Sequence, residues 1–255
     1  MVIEEWLGEA GSALGSQEVM VVRCDLDGGG PTEQHLVNCI PDGERAHAEG
    51  FRNASDRVRF VTARALLRTL LAPELSCEAR EIRFEVGEHG KPRLHSSHPQ
   101  DLRFNLSHSG RRVVIALSWQ AEVGVDVEQR SSRRNLSAVA ARFFSSDEAH
   151  QVLTRRSEAE RDLAFHTCWC RKEAFVKALG TGISFPLASF TVDADPAGSG
   201  DLLWIANRPA ERERWGWHAV DAGEGYAGAL VVEGRGRVVR THTLPGPSLD
   251  STPGD

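Results

Sequence analysis

The run Trp169-Cys170-Arg171-Lys172-Glu173-Ala174-Phe175-Val176-Lys177-Ala178-Leu179-Gly180 limits what this chain can fold into more than any other stretch. On a 3.6-residue period, Phe165, Cys168, Phe175, Val176 and Leu179 cover much of the helix circumference, so such a helix has to pack on several sides. Trp169, Glu173 and Lys177 fall at i, i+4 and i+8 on one face, and the two charges are therefore expected to be partly desolvated. An ordinary exposed Glu-to-Lys pair would have the same spacing. The lysine count weighs against that reading: of 30 basic residues only three are lysine, Lys91, Lys172 and Lys177. Where arginine supplies nearly all the positive charge, a lysine marks a position that needs a compact, rotatable point charge in place of a planar fork.

At 255 residues and 40% hydrophobic content the chain can bury a large core, as one domain or as two similar halves. A net charge of -6 and a pI near 5.9 argue against a nucleic-acid partner, which calls for a basic face. No stretch approaches the roughly 18 apolar residues of a membrane span, so no membrane association is expected. Met1-Val2-Ile3-Glu4-Glu5 has acids where a signal peptide needs a basic region, and the expected location is cytoplasmic. Five cysteines, odd in number and irregularly spaced, read as small core residues in a reducing compartment and not as a zinc set.

Val19 to Cys24 reads as a buried strand leaving into the turn Asp27-Gly28-Gly29-Gly30-Pro31, which lacks the Gly-Lys-Ser/Thr of a phosphate loop. The pattern is helical from Pro41 to Leu71, ending at Pro73, and Glu81 to Val86 alternates as a half-buried strand. The polar corner Phe104-Asn105-Leu106-Ser107-His108-Ser109-Gly110 precedes the strand Val113 to Leu117. His108 there is open to two readings, a hydrogen-bonded structural histidine or half of a Ser-His pair; serines adjacent on an extended chain point away from the imidazole, which counts against the second.

Val123 to Glu128 alternates valines with acids, so Asp126 and Glu128 emerge on one face, about 6.5 to 7 Å apart along the chain. They either face solvent on an edge strand or flank a cation that relieves their repulsion. Ser145 and Glu148 form a capping box. A charged, mobile-looking stretch from Thr154 to Asp162 leads into the central helix, which Gly180 stops. Ser189 to Asp193 is again an alternating strand. Helix, turn and strand recur in order in both halves, and Val113 to Leu117 has a counterpart in Ala227 to Val232. The expected fold is therefore α+β: two similar α/β lobes with a ligand cleft between them, residues 1–118 and 119–240, followed by a disordered Pro/Ser/Gly-rich tail from Thr241 to Asp255.

Asp126, Glu128 and Glu173 would together offer three oxygen donors and no soft ligand, a set that suits Mg²⁺ shared with substrate phosphates. Lys177, one turn beyond Glu173, would complete a pocket for a phosphorylated ligand. In their order and spacing, Gly90-Lys91-Pro92, Phe104 to Ser109, Gly124 to Glu128, Phe143-Phe144-Ser145 and Trp169 to Lys177 resemble the motifs of the 4′-phosphopantetheinyl transferases of the surfactin-synthetase-activating (Sfp) type. The likeness covers about Glu44 to Val192. It implies a pseudo-twofold pair of lobes with coenzyme A between them. It also implies transfer of the phosphopantetheine arm to a serine of an apo acyl or peptidyl carrier protein, leaving adenosine 3′,5′-bisphosphate, by an enzyme expected to be a monomer.

Carried over by that resemblance, Asp126, Glu128 and Glu173 hold Mg²⁺, Glu173 accepts the serine proton, and Lys177 neutralises the pyrophosphate. Arg59 and His108 match contacts to the 3′-phosphate of coenzyme A, while Lys91, Pro92, Ser107 and Lys172 fall in the motifs that bind the rest of it. The family often has two further basic residues for the 3′-phosphate upstream of Arg59, where this chain offers Gly43, Glu44, Ala46 and His47, with only Arg45 nearby. A metal-dependent phosphohydrolase or a non-catalytic coenzyme A-binding protein are the alternatives. Carriers of this kind are generally acidic, as this chain is, so docking is expected to use a local patch: Arg130, Arg133 and Arg134, with Phe143 and Phe144 beyond.

Overall fold

The computed structural model describes residues 3–130, 135–182 and 185–249, without the side chain of Glu4. In chain order it contains α1 (Ile3–Leu7), β1 (Glu18–Asp25), α2 (Glu33–Val37), α3 (Asp42–Glu49), α4 (Ala54–Leu75), β2 (Phe84–Val86), β3 (Pro92–Leu94), β4 (Leu102–Ser109) and β5 (Arg112–Trp119). These are followed by β6 (Val123–Gln129), α5 (Leu136–Phe143), α6 (Ser146–Leu153), α7 (Glu158–Leu179), β7 (Phe190–Val192), β8 (Leu202–Ile205), α8 (Glu211–Arg214), β9 (Trp215–Ala219), β10 (Tyr226–Glu233) and β11 (Val238–Pro245). The fold is mixed α+β. The chain divides into two compact units, one taking in the chain up to Glu85, Arg93–Gln120 and the chain from Val238 onward, the other Val86–Pro92 and Ala121–Arg237.

The first unit has a four-stranded sheet in the order β11-β1-β5-β4. The two central strands, β1 and β5, are buried along their apolar runs, Val19 to Val22 and Val113 to Leu117. α4 starts where the Asn53 side chain accepts from Ser55 N and ends at Ser76 in the left-handed conformation. It runs through Pro73 instead of stopping there, because a proline in the last turn gives up only one hydrogen bond before the helix ends. The pattern expected as one helix from Pro41 is split at Gly50 into α3 and α4, and the strand expected from Glu81 is confined to Phe84–Val86.

The tail departs most from expectation. Val238–Pro245 is not disordered; it pairs in parallel with all of β1, Glu18 opposite Val238 through Asp25 opposite Pro245, and Ser248 bridges back to Asp27. Half-polar alternation hides this strand, since only one of its residues is buried.

The second unit pairs β6, β10 and β9 antiparallel and lays α7 across β6 and β10. Its core gathers Phe165, Phe175, Phe190 and Trp215 around that helix. Far from being preceded by a loose segment up to Asp162, α7 already begins at Glu158, fixed by a capping box between Ser157 and Glu160. Gly180 ends it at φ 70°, a conformation that favours glycine. A second capping box, Ser145 with Glu148, starts α6. Among the described residues no helix is long and apolar enough to cross a membrane.

Candidate active site

In the second unit one strand and one helix build an acidic corner. β6 runs beside β10 with Asp126 opposite Ala229 and Glu128 opposite Ala227, so the two acids lie on one face two residues apart. α7 packs tightly on β6 at Gly124, where an added Cβ would run into the carbonyl oxygen of Ala174 and the amide nitrogen of Ala178. On the helix side, Cys170 Sγ donates to Ala227 O of β10 at 3.4 Å, and burial pushes this thiol well above its ordinary value.

Asp126 is 4% exposed, and Lys177 Nζ donates to its Oδ1 at 2.7 Å and to Val125 O at 3.2 Å. Glu173 lies one turn before Lys177 on the same face. Burial first, then the carboxylate of Asp126, raises the Glu173 carboxyl above the ordinary glutamate range; Lys177 opposes the rise and Glu128 adds to it. Three carboxylates thus share one half-buried corner with a single ammonium.

Lys172 does not join them. It is fully buried, with Nζ 2.6 Å from both carboxylate oxygens of Glu148 and 2.7 Å from Phe190 O, and the ammonium sits 4.0 Å from the centre of the Phe190 ring. All three of its hydrogens have acceptors inside the protein, so the expected role in binding coenzyme A is withdrawn. Burial lowers the Lys172 pKa, and the Glu148 carboxylate offsets part of that. Lys91 donates to Glu122 Oε2 at 3.0 Å and to Val123 O at 3.1 Å, which ties the turn before β3 and Pro92 to the start of β6.

The remaining predicted ligands sit in the first unit. Arg59 of α4 donates through Nε to Gly110 O at 2.9 Å and through Nη1 to Asp56 Oδ1 at 2.6 Å. Gly110 is the turn residue after β4, whose last three residues are Ser107, which is buried, His108, which is exposed, and Ser109, so Arg59 is held at the same corner of this unit as His108. Arg45 is engaged elsewhere, donating to Val37 O and Ile40 O at 3.0 Å each, and it lines a cavity of about 780 Å³ with Gly28–Gly30 and Arg57 that includes none of the predicted site residues.

The expected docking patch is only partly available. Arg133 and Arg134 lie outside the described residues. Arg130 has Nη1 3.8 Å from Asp162 Oδ2, Phe143 stacks edge-on against Trp169, and Phe144 is buried against Phe165.

Two sequence profiles match the chain, "4′-phosphopantetheinyl transferase superfamily" over residues 122–231 and "4′-phosphopantetheinyl transferase, N-terminal" over residues 31–120. The 4′-phosphopantetheinyl transferase HetI of Nostoc sp. is 32% identical over 66% of this chain and 71% of its own length. The chain belongs to the 4′-phosphopantetheinyl transferase superfamily. Within these transferases, Sfp of Bacillus subtilis is 31% identical over 62% of this chain and 68% of its own, and psf-1 of Bacillus pumilus 37% over 62% and 66%. The chain spans about two thirds of the length of the curated relatives it matches, from 64% to 71%. A Thermotoga maritima holo-[acyl-carrier-protein] synthase structure aligns over 44% of this chain and 62% of that one, at 24% identity and a TM-score of 0.32, too loose a likeness to bear on the fold.

For a phosphopantetheinyl transferase the donor chemistry of the corner suits a hard divalent cation: three carboxylates, with no imidazole among them. Among the described residues no group of three or more His, Cys, Asp or Glu side chains is gathered closely enough to hold a metal ion as it stands. The donors fit in kind, and the negative charge that raises Glu173 is what a cation would relieve.

That repulsion gives a test free of substrate. Because the folded protein holds the Glu173 proton at pH values where the unfolded chain has released it, the stability linked to this group is present below the ordinary glutamate range and lost as pH rises through the raised folded value. In chelator, the melting temperature of Glu173→Gln relative to wild type is expected to rise from acidic toward neutral pH. Mg²⁺ at neutral pH should recover wild type but not the variant. An identical pH dependence for the two proteins would remove Glu173 from the corner.

Proposed function

We propose that this protein transfers the 4′-phosphopantetheine arm of coenzyme A to a serine of an apo acyl or peptidyl carrier protein, with Mg²⁺ as cofactor and adenosine 3′,5′-bisphosphate as leaving product. The observation that carries this reading is the convergence of Asp126, Glu128, Glu173 and Lys177 in one corner of a chain of this family. Asp126, Glu128 and Glu173 would hold the ion, which when bound supplies positive charge against the pyrophosphate.

The chemistry asked of the side chains is small. As the serine Oγ–phosphorus bond forms and the phosphorus–oxygen bond to adenosine bisphosphate breaks, the hydroxyl proton has to leave. Glu173 is the group to accept it, as the carboxylate that shares the corner with Asp126 and Lys177. Lys177 neutralises charge on the pyrophosphate linkage as it breaks and adenosine 3′,5′-bisphosphate departs; its own charge is most effective when prepositioned. Arg59 and His108 are assigned to the 3′-phosphate, and Ser107, Lys91 and Pro92 to the remainder of coenzyme A. The two units are read as repeats of one plan, each with a sheet and a 22-residue helix, acting as a monomer.

The test is carrier dependence. Adenosine 3′,5′-bisphosphate should be released from coenzyme A and Mg²⁺ only when an apo-carrier is present; release without a carrier would favour a phosphohydrolase instead.

Lys177→Arg provides a finer test of the corner. Lys177 is 28% exposed in its side chain and its ammonium bridges Asp126 Oδ1 and Val125 O. A guanidinium is longer and planar and cannot sit at that point without displacing one of them. The variant is expected to lose nearly as much kcat as Lys177→Ala, with a melting temperature close to wild type. A stable Lys177→Arg enzyme of near-normal kcat would reduce the lysine to a surface ion pair, worth only about 0.3 to 0.5 kcal/mol and equally served by arginine.

A further inference from the structure

We propose that Glu148 is a positioning residue for the transfer: paired with Lys172, it fixes the rotation of α7 about its own axis and so aims Glu173 and Lys177 at β6. The inference rests on the transferase reading above, and extends it to a pair that touches no ligand.

Glu148 and Lys172 are both fully buried, so neither is reached from solvent. The Glu148 carboxylate is saturated: Lys172 Nζ lies 2.6 Å from each oxygen, Val192 N donates to Oε1 at 2.7 Å, and Ser145 N donates to Oε2 at 2.7 Å. With Phe190 O as the third acceptor for Lys172, one ion pair ties together α6, α7 and β7. The next residue of the helix is Glu173. Consecutive residues of an α-helix are turned by about 100°, so any rotation that breaks the lock also carries Glu173 away from Asp126.

Apolar packing alone would not hold that angle. A ring of alanines and phenylalanines tolerates a helix turning about its axis, whereas a carboxylate with four polar contacts meets them in one orientation only. A buried ion pair adds little net stability over a well-packed apolar pair, which leaves registry as the use for this one. Arg171, just before Lys172, works in the same sense: its guanidinium donates to Asp193 O and Asp195 O at 2.7 Å and to Gly198 O at 3.0 Å, fastening the loop after β7 to the helix. Gly124 sets how near the helix comes to β6; Glu148 and Lys172 set which way it faces.

The experiment compares wild type, Glu148→Gln and the double variant Glu148→Gln/Lys172→Met, which leaves no buried charge unpaired. Steady-state transfer is read with KM for coenzyme A separated from kcat, melting temperature is recorded, and maleimide labelling of the buried Cys170 is followed by peptide mass without any substrate. The double variant is expected to melt near wild type, to lose at least about tenfold in kcat with KM for coenzyme A within about twofold, and to label at Cys170 at least about tenfold faster. A folded double variant with wild-type kcat and wild-type labelling overturns the proposal, and so does a loss confined to KM, which would return Lys172 to the ligand. If wild type transfers nothing, the transferase reading fails by itself and the labelling rates still decide whether the pair holds α7.

Discussion

Glu173→Gln and Asp126→Asn are each expected to lower transfer roughly a hundredfold or more, the scale of removing one preorganised electrostatic group from a site where charge develops. The variants act differently. Glu173→Gln removes the base and relieves repulsion with Asp126, so in chelator its melting temperature at neutral pH should be no lower than wild type. Asp126→Asn takes one ionic partner from Lys177, which keeps its contact with Val125 O and is 28% exposed, so the fold should again survive. A loss of activity without a loss of structure is therefore the expected signature. Turnover of either variant within about threefold of wild type at saturating Mg²⁺ would end the assignment of these carboxylates.

Gly124→Ala is expected to damage both stability and turnover, because the methyl group meets backbone atoms of Ala174 and Ala178 that cannot rotate away. Either β6 or α7 has to move. Overpacking of this kind costs about 1 to 3 kcal/mol, and a backbone obstacle belongs at the upper end. Asp126 is two residues from the obstacle and Lys177 adjoins Ala178, so the same movement opens the 2.7 Å contact between them. Gly43→Ala is the control: an added Cβ there meets nothing within 4 Å. Urea unfolding of the two variants should separate them by at least about 1.5 kcal/mol; equal midpoints and slopes would mean that α7 does not rest on Gly124.

The helix and the strand that build the corner were legible because their signals are local. Apolar residues around much of α7 demanded burial on several sides, and lysine scarcity singled out Lys177, whose ammonium reaches the buried Asp126. At Lys172 scarcity marked a compact charge, while its place in binding coenzyme A was carried over by resemblance alone. Phe165, Cys168, Lys172, Phe175 and Leu179 follow the three-and-four spacing of one apolar stripe, so the pattern already placed Lys172 inward, among the core side chains and away from the Glu173 face. Its partner was read only as the acid of a capping box, which Glu148 is, while its other oxygen contacts come from Lys172 and Val192 far along the chain. β11 escaped for a related reason. Its partner β1 lies more than two hundred residues earlier, and a parallel edge strand with polar alternation has no nearby turn to announce it. Arg59 and His108 share a corner through Gly110 O, a contact that neither helix periodicity nor strand alternation contains.

The measurement that bears most directly on the central claim is the intact mass of an apo-carrier after incubation with this protein, coenzyme A and Mg²⁺. The acidic corner predicts that the carrier gains one phosphopantetheinyl group on its acceptor serine, that the gain disappears when that serine is alanine, and that Glu173→Gln at the same concentration leaves the carrier unchanged. A carrier that stays at its apo mass with wild type, across acyl and peptidyl carriers alike, or one modified equally by Glu173→Gln, would contradict it.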